Sequence, residues 1–463
     1  MGKEEKCVKK YLKFIIIIAL VIILSTAAYI AVDKSKTSEE TQKSQEGVVD
    51  LCGFDTDDIK NMTVTTPDGT YEFKFEDSLW SWADEDNAPF NCSTVSLTLI
   101  ANAMSDLTST KIVAENADNL SKYGFDKPVT ISCKTSDGKE YSIELGSKNP
   151  TGDSYYVKKS GENTVYAVSS STGDSLNVQK DALKNNYLID VFISELRKIK
   201  LERHGELIFD VEKNDSGVWE IIAPIKEMTP DYTKISSYSD LIVRANAAAF
   251  IEENPSDLSK YGLDNPSYVL NASTDEEDVE VIFGNDSEDI AGGIYTLIKS
   301  AKLQEVMVFY KSNISFLEAD TMSIVDPKIY GCNLRKISDI DLVLDGQNVK
   351  LSMDSANNEY SFNGTVIDDT ERINLYTEFV QSFNMMQIAG TETDYSNENQ
   401  TPALEINYTL KDGSAFTTAY YYDEGSDRYY LFKNDTYTGT YVSSDSIKNI
   451  KAAYAGILNR ASE

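Results

Sequence analysis

A segment of nine residues occurs twice in this chain, and the interval between its copies constrains the fold more than any other feature. Leu120-Ser-Lys-Tyr-Gly-Phe-Asp-Lys-Pro128 returns 138 residues later as Leu258-Ser-Lys-Tyr-Gly-Leu-Asp-Asn-Pro266. Gly146, which ends Ile-Glu-Leu-Gly, and Gly284, which ends Val-Ile-Phe-Gly, are separated by the same interval. Self-similarity at a fixed period is the signature of a repeated structural unit. The chain therefore contains at least two copies of a module of about 138 residues, enough for an independent core.

A third, degenerate copy is visible in the turns and in one aromatic position. Asp-Gly pairs favour type I′ hairpin turns, in which both central residues need positive φ. Such pairs recur at close to twice the period, as Asp68-Gly69 with Asp345-Gly346 and as Asp137-Gly138 with Asp412-Gly413. The aromatic residue of a neighbouring strand recurs as Trp80, Trp219 and Tyr360. The sequence therefore predicts three copies of the module.

Each copy also carries one amphipathic helix at the same place, recognised by apolar residues at the spacing of a single helix face. These residues are Leu97, Ile100, Met104 and Leu107, then Ile235, Tyr238, Ile242 and Ala245, then Ile373, Tyr376, Val380 and Phe383. Good N-cap residues precede the three helices, namely Ser93 or Thr94, Asp231, and Asp368 or Asp369. The predicted fold class is α+β: one N-terminal transmembrane helix followed by three tandem antiparallel-sheet-plus-helix repeats.

The transmembrane prediction rests on an uncharged apolar stretch, Phe14 to Val32, which follows five lysines in the first 13 residues. As a helix it would measure roughly 28 Å, close to the hydrocarbon thickness of a bilayer. The lysines then predict a cytoplasmic N-terminus, with the bulk of the chain extracytoplasmic. Ser25-Thr26-Ala27 would also suit a signal-peptide cleavage site, so it stays open whether the segment is cleaved. In either case the repeats are exported.

The expected organisation has six parts along the chain. They are a basic cytoplasmic tail (1–13), the transmembrane helix (14–32), a flexible polar linker (33–50) and three repeats (51–190, 191–327 and 328–463). A formal net charge of −32 repels phosphate backbones and anionic lipids. Nucleic acid is therefore not an expected partner, and contact with the membrane falls to the N-terminal helix. Five cysteines, at positions 7, 52, 92, 133 and 332, lack metal-ligand spacing, and the disulfide state of the last four stays open.

The Leu-x-x-Tyr-Gly-x-Asp-x-Pro signature, the sheet after it, the helix before it and the single N-terminal apolar segment resemble a bacterial family, domain of unknown function 4340 (DUF4340). The resemblance covers the first two repeats. In the third, only Tyr395 and Pro402 stand near the signature position, with no glycine between them. Family members have no established activity or catalytic residues, so the resemblance implies none here. Members are often encoded beside ABC-transporter and gliding-type components, which implies an accessory role at an envelope transport complex.

The residues of the signature are interpreted as a structural motif rather than as a binding site. They are Tyr123, Gly124, Asp126 and Pro128 in the first copy, and Tyr261, Gly262, Asp264 and Pro266 in the second. Each glycine should end a short helix in the left-handed conformation that glycine favours. The only histidine, His204, lies in a predicted hairpin turn, which argues against histidine-based triads. Ser136-Asp-Gly-Lys139 matches a Ser-x-x-Lys pattern, but it also falls in a hairpin turn rather than on a helix.

Acidic clusters at 55–58, 84–86 and 285–289 offer oxygen ligands for Ca²⁺, but none has the spacing of a helix-loop-helix calcium loop, and solvation explains them as well. We therefore expect no enzyme and no cofactor. The predicted function is a membrane-anchored extracytoplasmic accessory or scaffold protein with an envelope partner, for which transporter-type subunits are the candidates. A glycan- or ligand-binding ectodomain is the alternative, and a carboxylate-based hydrolase is the third hypothesis.

Overall fold

The computed structural model describes residues 47–461, apart from residues 302, 331–333, 355, 356, 358 and 399. Three large antiparallel sheets and one small sheet dominate this part of the chain. The large sheets occupy successive stretches of sequence, which we call module 1 (residues 49–183), module 2 (198–324) and module 3 (334–461). The chain forms two compact units that divide between Asn185 and Asn186. Module 1 lies in the first unit, and modules 2 and 3 share the second.

Module 1 is built around an eight-stranded sheet with the strand order β4-β3-β2-β7-β8-β9-β10-β6, while β1 and β5 pair separately. Its elements in chain order are β1 (Val49–Gly53), β2 (Ile59–Thr66), β3 (Gly69–Glu76), β4 (Leu79–Trp82), α1 (Thr94–Ser105), β5 (Asp106–Ser109), β6 (Lys111–Ala114), β7 (Val129–Thr135), β8 (Glu140–Lys148), β9 (Ser154–Lys159), β10 (Val165–Ser169) and α2 (Ser170–Leu176). Short 3₁₀ turns cover Thr56–Asp58, Ser121–Tyr123 and Lys180–Leu183.

Module 2 has an eight-stranded sheet in the equivalent order, β13-β12-β11-β15-β16-β17-β18-β14. Its elements are β11 (Lys198–Arg203), β12 (Glu206–Lys213), β13 (Trp219–Ala223), α3 (Tyr232–Arg244), β14 (Ala249–Glu253), β15 (Tyr268–Ser273), β16 (Asp278–Asp286), β17 (Gly293–Ile298) and β18 (Glu305–Tyr310). Three 3₁₀ segments, Ser259–Tyr261, Lys311–Glu318 and Thr321–Ile324, complete the module.

Module 3 repeats the order with one additional edge strand, β22-β21-β20-β19-β24-β25-β26-β27-β23. After a 3₁₀ turn at Leu334–Lys336 come β19 (Ile337–Leu344), β20 (Gln347–Asp354), β21 (Glu359–Phe362), β22 (Thr365–Ile367), α4 (Thr370–Asn384), β23 (Gly390–Thr391), β24 (Leu404–Leu410), β25 (Ala415–Asp423), β26 (Arg428–Lys433), β27 (Thr436–Ser443) and α5 (Ser444–Ala461). The helix that follows the last meander strand is therefore much longer here than in module 1.

The three equivalent helices α1, α3 and α4 begin where the sequence predicts. Ser93, Asp231 and Asp369 are their N-cap residues, and each side chain accepts a hydrogen bond from the backbone N–H three positions on. Two residues of the predicted apolar stripes lie just beyond the helices, since Leu107 is on β5 and Ala245 follows α3. Both are nevertheless buried, so the stripes identified core residues correctly even where the helix had already ended.

Both faces of the sheets in modules 1 and 2 are covered. The principal core lies between each sheet and its helix, and it includes Val281 and Phe283 of β16. Ile282, between them in sequence, belongs to a separate apolar cluster with Tyr261 and Leu263. Because neighbouring residues of a strand point to opposite faces, this second cluster lies on the other face of the sheet. The segment that carries the repeated Tyr-Gly signature therefore covers the face that the helix leaves open.

The fold class expected from the sequence is wrong for the described chain. It is mostly antiparallel sheet, arranged in four sheets, and none of the helices described between residues 47 and 461 is long and apolar enough to cross a membrane. The expected transmembrane segment, 14–32, and the basic tail before it lie outside the described residues. A helix leaves a longer periodic pattern in a sequence than a strand of two to nine residues does. The sequence therefore shows the helix of each repeat more clearly than the eight or nine strands of its large sheet.

Modules 2 and 3 share one continuous apolar core, which includes residues from Leu188 to Ile457. Phe383, on α4 of module 3, is fully buried in it. Phe383→Ala should lower the free energy of unfolding by about 3–5 kcal/mol, because it leaves a cavity in a close-packed core. We expect β11 of module 2 to lose amide protection together with module 3, since a shared core unfolds cooperatively. Hydrogen exchange read by mass spectrometry measures both regions at once.

Phe192→Ala is the matched control, because this phenylalanine of the same unit is 76% exposed and its loss should change stability by no more than about 0.5 kcal/mol. If β11 kept its protection while module 3 of the Phe383→Ala variant opened, the two modules would unfold separately and the prediction would be wrong.

Candidate functional site

The repeated signature forms a tight turn on one face of the sheet in modules 1 and 2, and we call residues 120–128 and 258–266 the Tyr-Gly segments. Gly124 and Gly262 end their 3₁₀ turns with φ of +83° and +69°, as the sequence predicts. Their N–H groups donate to the carbonyl oxygens of Ser121 and Ser259. The left-handed conformation is what turns each chain back toward the next strand, so the glycines have a structural role.

The other residues of the segments take supporting positions. Tyr123 and Tyr261 are buried against the tyrosine of the neighbouring meander strand, with ring centroids 5.0 Å from Tyr156 and 4.9 Å from Tyr295. Asp126 accepts a hydrogen bond from the Ser121 hydroxyl at 2.6 Å, while Asp264 is exposed. Pro128 and Pro266 are half-buried and stand just before β7 and β15. Each tyrosine thus anchors its segment to the sheet, while each proline leads into the next strand.

A second glycine in each module allows the segment to approach the sheet closely. The register of β8 against β9, and of β16 against β17, shifts at Gly146 and Gly284, which marks a β-bulge. A Cβ on Gly146 would overlap the carbonyl oxygen of Tyr123, and a Cβ on Gly284 would overlap that of Tyr261. The backbone of the turn therefore rests on the backbone of the bulge, which explains why both glycines recur at the same interval as the signature.

Module 3 keeps the tyrosine contact without the glycines. Tyr395 stacks on Tyr430 of β26, with ring centroids 3.7 Å apart. The register places Tyr430 where modules 1 and 2 have Tyr156 and Tyr295. Between β25 and β26 the register runs without a shift, and Tyr421 stands at the position of the bulge glycine. Aligning the meander strands could have identified Tyr395 as the equivalent of Tyr261, since the second tyrosine of the pair is present in all three copies.

Of the remaining residues singled out in the sequence, the Ser136–Lys139 turn lies in module 1 and His204 lies in module 2. His204 is exposed in the turn between β11 and β12, with φ of +50°. Ser136 to Lys139 form the turn between β7 and β8, where Lys139 Nζ lies 2.7 Å from Asp137 Oδ2. Within the described residues, no group of three or more His, Cys, Asp and Glu side chains could hold a metal ion. His204, together with Asn285 and Asp286 of the acidic cluster 285–289, borders a cavity in module 2.

Module 2 contains a cavity of about 250 Å³ at the end of its Tyr-Gly segment. Its buried lining is apolar and consists of Ile294, Ile314 and Leu317, together with the bulge glycine. Its exposed lining is polar and consists of His204, Asn285, Asp286, Lys311 and Glu318. Ser267 and the half-buried Tyr268, at the start of β15, complete it. An apolar floor with a few convergent polar groups is the usual composition of a small-molecule site.

Lys311, Asp286 and Glu318, the charged residues that line the cavity, each have an ionic or hydrogen-bonding partner. Lys311 Nζ lies 2.5 Å from Asp286 Oδ1, and the Tyr268 hydroxyl donates to Glu318 Oε1 at 2.7 Å. Arg203 lies over the Tyr268 ring and donates to the carbonyl oxygens of Leu317 and Ala319, on either side of Glu318. Burial, followed by the hydrogen bond to Glu318, raises the pKa of Tyr268 above its usual value. The hydroxyl is therefore held as a donor at neutral pH.

The strand register shows why this space is open in module 2. Ile294 faces Asp286 across the bulge, as Tyr155 faces Lys148 in module 1 and Tyr429 faces Tyr422 in module 3. The Tyr155 ring packs directly on Gly173 of α2, and its hydroxyl donates to Asp174 at 2.7 Å. Two modules thus have a buried tyrosine where module 2 has an isoleucine. The smaller side chain leaves room between the sheet and the 3₁₀ segment Lys311–Glu318.

The family model described as Domain of unknown function (DUF4340) matches the chain twice, over residues 80–251 and residues 219–404. The matches begin at Trp80 and Trp219, which occupy corresponding positions at the start of a hairpin strand in modules 1 and 2. Together the two matches span well over half of the chain. No curated protein and no solved structure matches it.

Gly284→Ala tests the contact between bulge and turn. The added methyl group would overlap the Tyr261 carbonyl oxygen, so the Tyr-Gly segment must move away from the sheet. We expect a loss of about 1–3 kcal/mol in the free energy of unfolding, typical of overpacking at a rigid contact. Gly425→Ala is the control, because its Cβ would lie 3.7 Å from Asp423, an ordinary van der Waals contact. Equal urea midpoints for the two variants would contradict the proposed contact.

Two cysteines of module 1, Cys52 on β1 and Cys133 on β7, are buried free thiols, whereas Cys7 and Cys332 lie outside the described residues. Burial raises the pKa of both buried thiols from 9.0 to about 12. Because an unfolded thiol loses its proton at lower pH than the folded one, this contribution to stability is complete below about pH 9 and is lost between pH 9 and 12. Between pH 9 and 12, the free energy of unfolding measured in urea should fall less steeply for Cys133→Ala than for the unaltered protein. Parallel curves would show that the Cys133 thiol does not contribute to the decline.

Proposed function

We propose a function for this chain, which belongs to the DUF4340 family. It is a non-enzymatic accessory or scaffold protein that binds a partner protein. It acts outside the cytoplasm, at the cell envelope. The observation that carries the proposal is that the residues repeated between modules serve packing. The signature tyrosines anchor a turn, and the two glycines of each copy permit its close approach. A repeated framework of this kind presents several similar surfaces along one chain, which suits a scaffold.

The state of the titratable groups supports binding rather than catalysis. Around the module-2 cavity, Lys311 is paired with Asp286, and Glu318 accepts from Tyr268. A general base or nucleophile must be poised to exchange a proton or attack a substrate. Groups that already satisfy one another are better suited to hold a polar ligand, which favours an accessory role over an enzymatic one.

Placement outside the cytoplasm is supported by the apolar stretch 14–32 and the lysines before it, because such a segment directs export whether or not it is later removed. The link to a transport complex comes from the family resemblance, since members are often encoded beside ABC-transporter and gliding-type components. The strongly negative net charge fits a protein partner better than nucleic acid or an anionic lipid surface.

Proximity labelling from the C-terminus tests this function. A peroxidase active in the envelope, fused after Glu463 and supplied with biotin-phenol and hydrogen peroxide, should label subunits of an ABC-transporter or gliding-type complex at least several-fold above the same peroxidase exported by residues 1–46 alone. The expected result follows because a bound partner stays near the tag while freely diffusing proteins do not. Equal labelling by the two fusions would argue against a scaffold, and labelling confined to cytoplasmic proteins would overturn the proposed location.

A second candidate function, ligand binding by the exported modules, is favoured by one specific observation. The cavity of module 2 combines an apolar floor with polar groups on its rim, and it opens where the other modules place a tyrosine. A ligand held there would make the chain a binding protein in its own right, or would regulate its contact with a partner.

A further inference from the structure

The cavity of module 2 results from one change in an otherwise repeated pattern. The third meander strand begins Ser154-Tyr-Tyr in module 1 and Arg428-Tyr-Tyr in module 3, but Gly293-Ile-Tyr in module 2. The second residue faces the helix side of the sheet, where Tyr155 and Tyr429 are buried. Because the backbone register is shared, the isoleucine leaves space that a tyrosine ring fills elsewhere. The fold accepts either residue, so the fold alone does not require the smaller one.

The cavity offers both hydrogen-bond donors and acceptors around its opening. Carboxylate oxygens of Asp286 and Glu318 accept, the Lys311 ammonium donates, and the Asn285 amide can do both. Below them lie aliphatic side chains, and Tyr268 also lines the cavity. A ligand that fits must carry closely spaced hydroxyl groups on one side and C–H groups on the other. A pyranose ring has this arrangement.

The existing contacts on the rim argue for a neutral ligand. The Lys311 ammonium lies 2.5 Å from Asp286, and the Glu318 carboxylate accepts a hydrogen bond from the Tyr268 hydroxyl. An anion would compete with Asp286 for the ammonium, and a cation would compete with Lys311 or with the Tyr268 hydroxyl for a carboxylate. Hydroxyl groups can instead use the remaining lone pairs and N–H groups without separating the pairs.

The volume limits the ligand to one ring. Sites for drug-sized molecules measure roughly 300–1,000 Å³, and this cavity, at about 250 Å³, lies just below that range. We propose that the module-2 cavity, opened by Ile294 and rimmed by Asp286, Lys311 and Glu318, binds a single neutral sugar residue, either free or at the end of a glycan. This inference rests on the second candidate function, ligand binding, and makes its substrate class specific.

The single histidine makes the test selective, because His204 borders the cavity and no other histidine exists in the chain. In full-length protein labelled with ¹³C at the imidazole ring, one resonance reports on this site. At fixed pH, titration with the methyl glycosides of N-acetylglucosamine, glucose, galactose and mannose should shift it saturably for at least one sugar, with a Kd in about the millimolar range. Acetate, glycine and methylammonium serve as charged probes and should shift it less at equal concentration.

Ile294→Tyr is the decisive variant, since modules 1 and 3 show that the fold accommodates tyrosine at this position. It should weaken sugar binding by at least about tenfold by filling the cavity, while the volume-conserving Ile294→Leu should change it by no more than about threefold. Lys148→Gln, which alters the residue of module 1 at the position of Asp286, should leave the His204 response unchanged. An undiminished response in Ile294→Tyr would overturn the proposal.

Charge variants test the preference for a neutral ring. Asp286→Asn frees the Lys311 ammonium, so the ratio of glucuronate to glucose affinity should rise by about tenfold. Lys311→Gln frees the carboxylate instead and should favour glucosamine. If no neutral glycoside shifts the unaltered protein, or if a charged probe binds it more tightly, the proposal is wrong, whatever the variants do. Proximity labelling of envelope subunits does not depend on these titrations, so the two proposals can fail separately.

Discussion

One backbone contact determines the form of modules 1 and 2. In it, the carbonyl group of the signature tyrosine packs against the bulge glycine of a neighbouring strand. A Cβ at Gly146 or Gly284 would occupy the place of the Tyr123 or Tyr261 carbonyl oxygen. The contact exists only because one glycine gives the turn a positive φ and another removes a side chain from the sheet. From it follow the covering of the second sheet face, the burial of the signature tyrosine and the local shift in strand register. In each module, three residues are thus coupled by one steric requirement: the tyrosine and glycine of the turn, and the glycine of the bulge.

The same requirement positions the cavity. The bulge ends β16 with Asp286 opposite Ile294 rather than opposite its regular neighbour. That shift places a carboxylate beside Lys311 at the start of the 3₁₀ segment. In module 1, Lys148 has the register position of Asp286 and pairs with Asp174 of α2 at 2.9 Å. Both modules therefore have an ion pair at this strand end, while the size of the residue opposite the strand end decides whether an open space remains. Module 3, without the bulge, fills the position with two tyrosine rings, Tyr422 and Tyr429.

Much of this framework could be read from the sequence, and the reason is geometric. Turns that need positive φ select glycine, asparagine or aspartate, which explains why Gly124 and Gly262 recur. Of the four Asp-Gly pairs, Asp345-Gly346 has positive φ at both residues, whereas Asp68-Gly69, Asp137-Gly138 and Asp412-Gly413 do not form the expected type I′ turn. Helix stripes and N-caps are local patterns, and they narrow the caps to Ser93 or Thr94, Asp231, and Asp368 or Asp369. The structure has Ser93, Asp231 and Asp369 at these positions. The predicted fold class was wrong because strands of two to nine residues leave weak patterns in a sequence. The separate pairing of β1 with β5 depends on residues more than fifty positions apart, which periodicity does not show.

The sequence singled out His204 and the acidic cluster 285–289, which border the cavity, but it did not predict the cavity itself, and the reason is different. Motif searches look for what repeats or for what matches known chemistry, whereas the cavity comes from a place where the repeat fails. Ile294 is an unremarkable residue by itself, and it gains meaning only when strand register aligns it with Tyr155 and Tyr429. In a chain of similar modules, the residues that recur are those on which the fold depends. A buried residue that differs in one module instead indicates a property that belongs to that module alone. Modules 1 and 3 have a buried tyrosine at this position. Module 2 has the smaller isoleucine there, and a cavity is open beside it. The polar rim then decides which ligand the opening accepts.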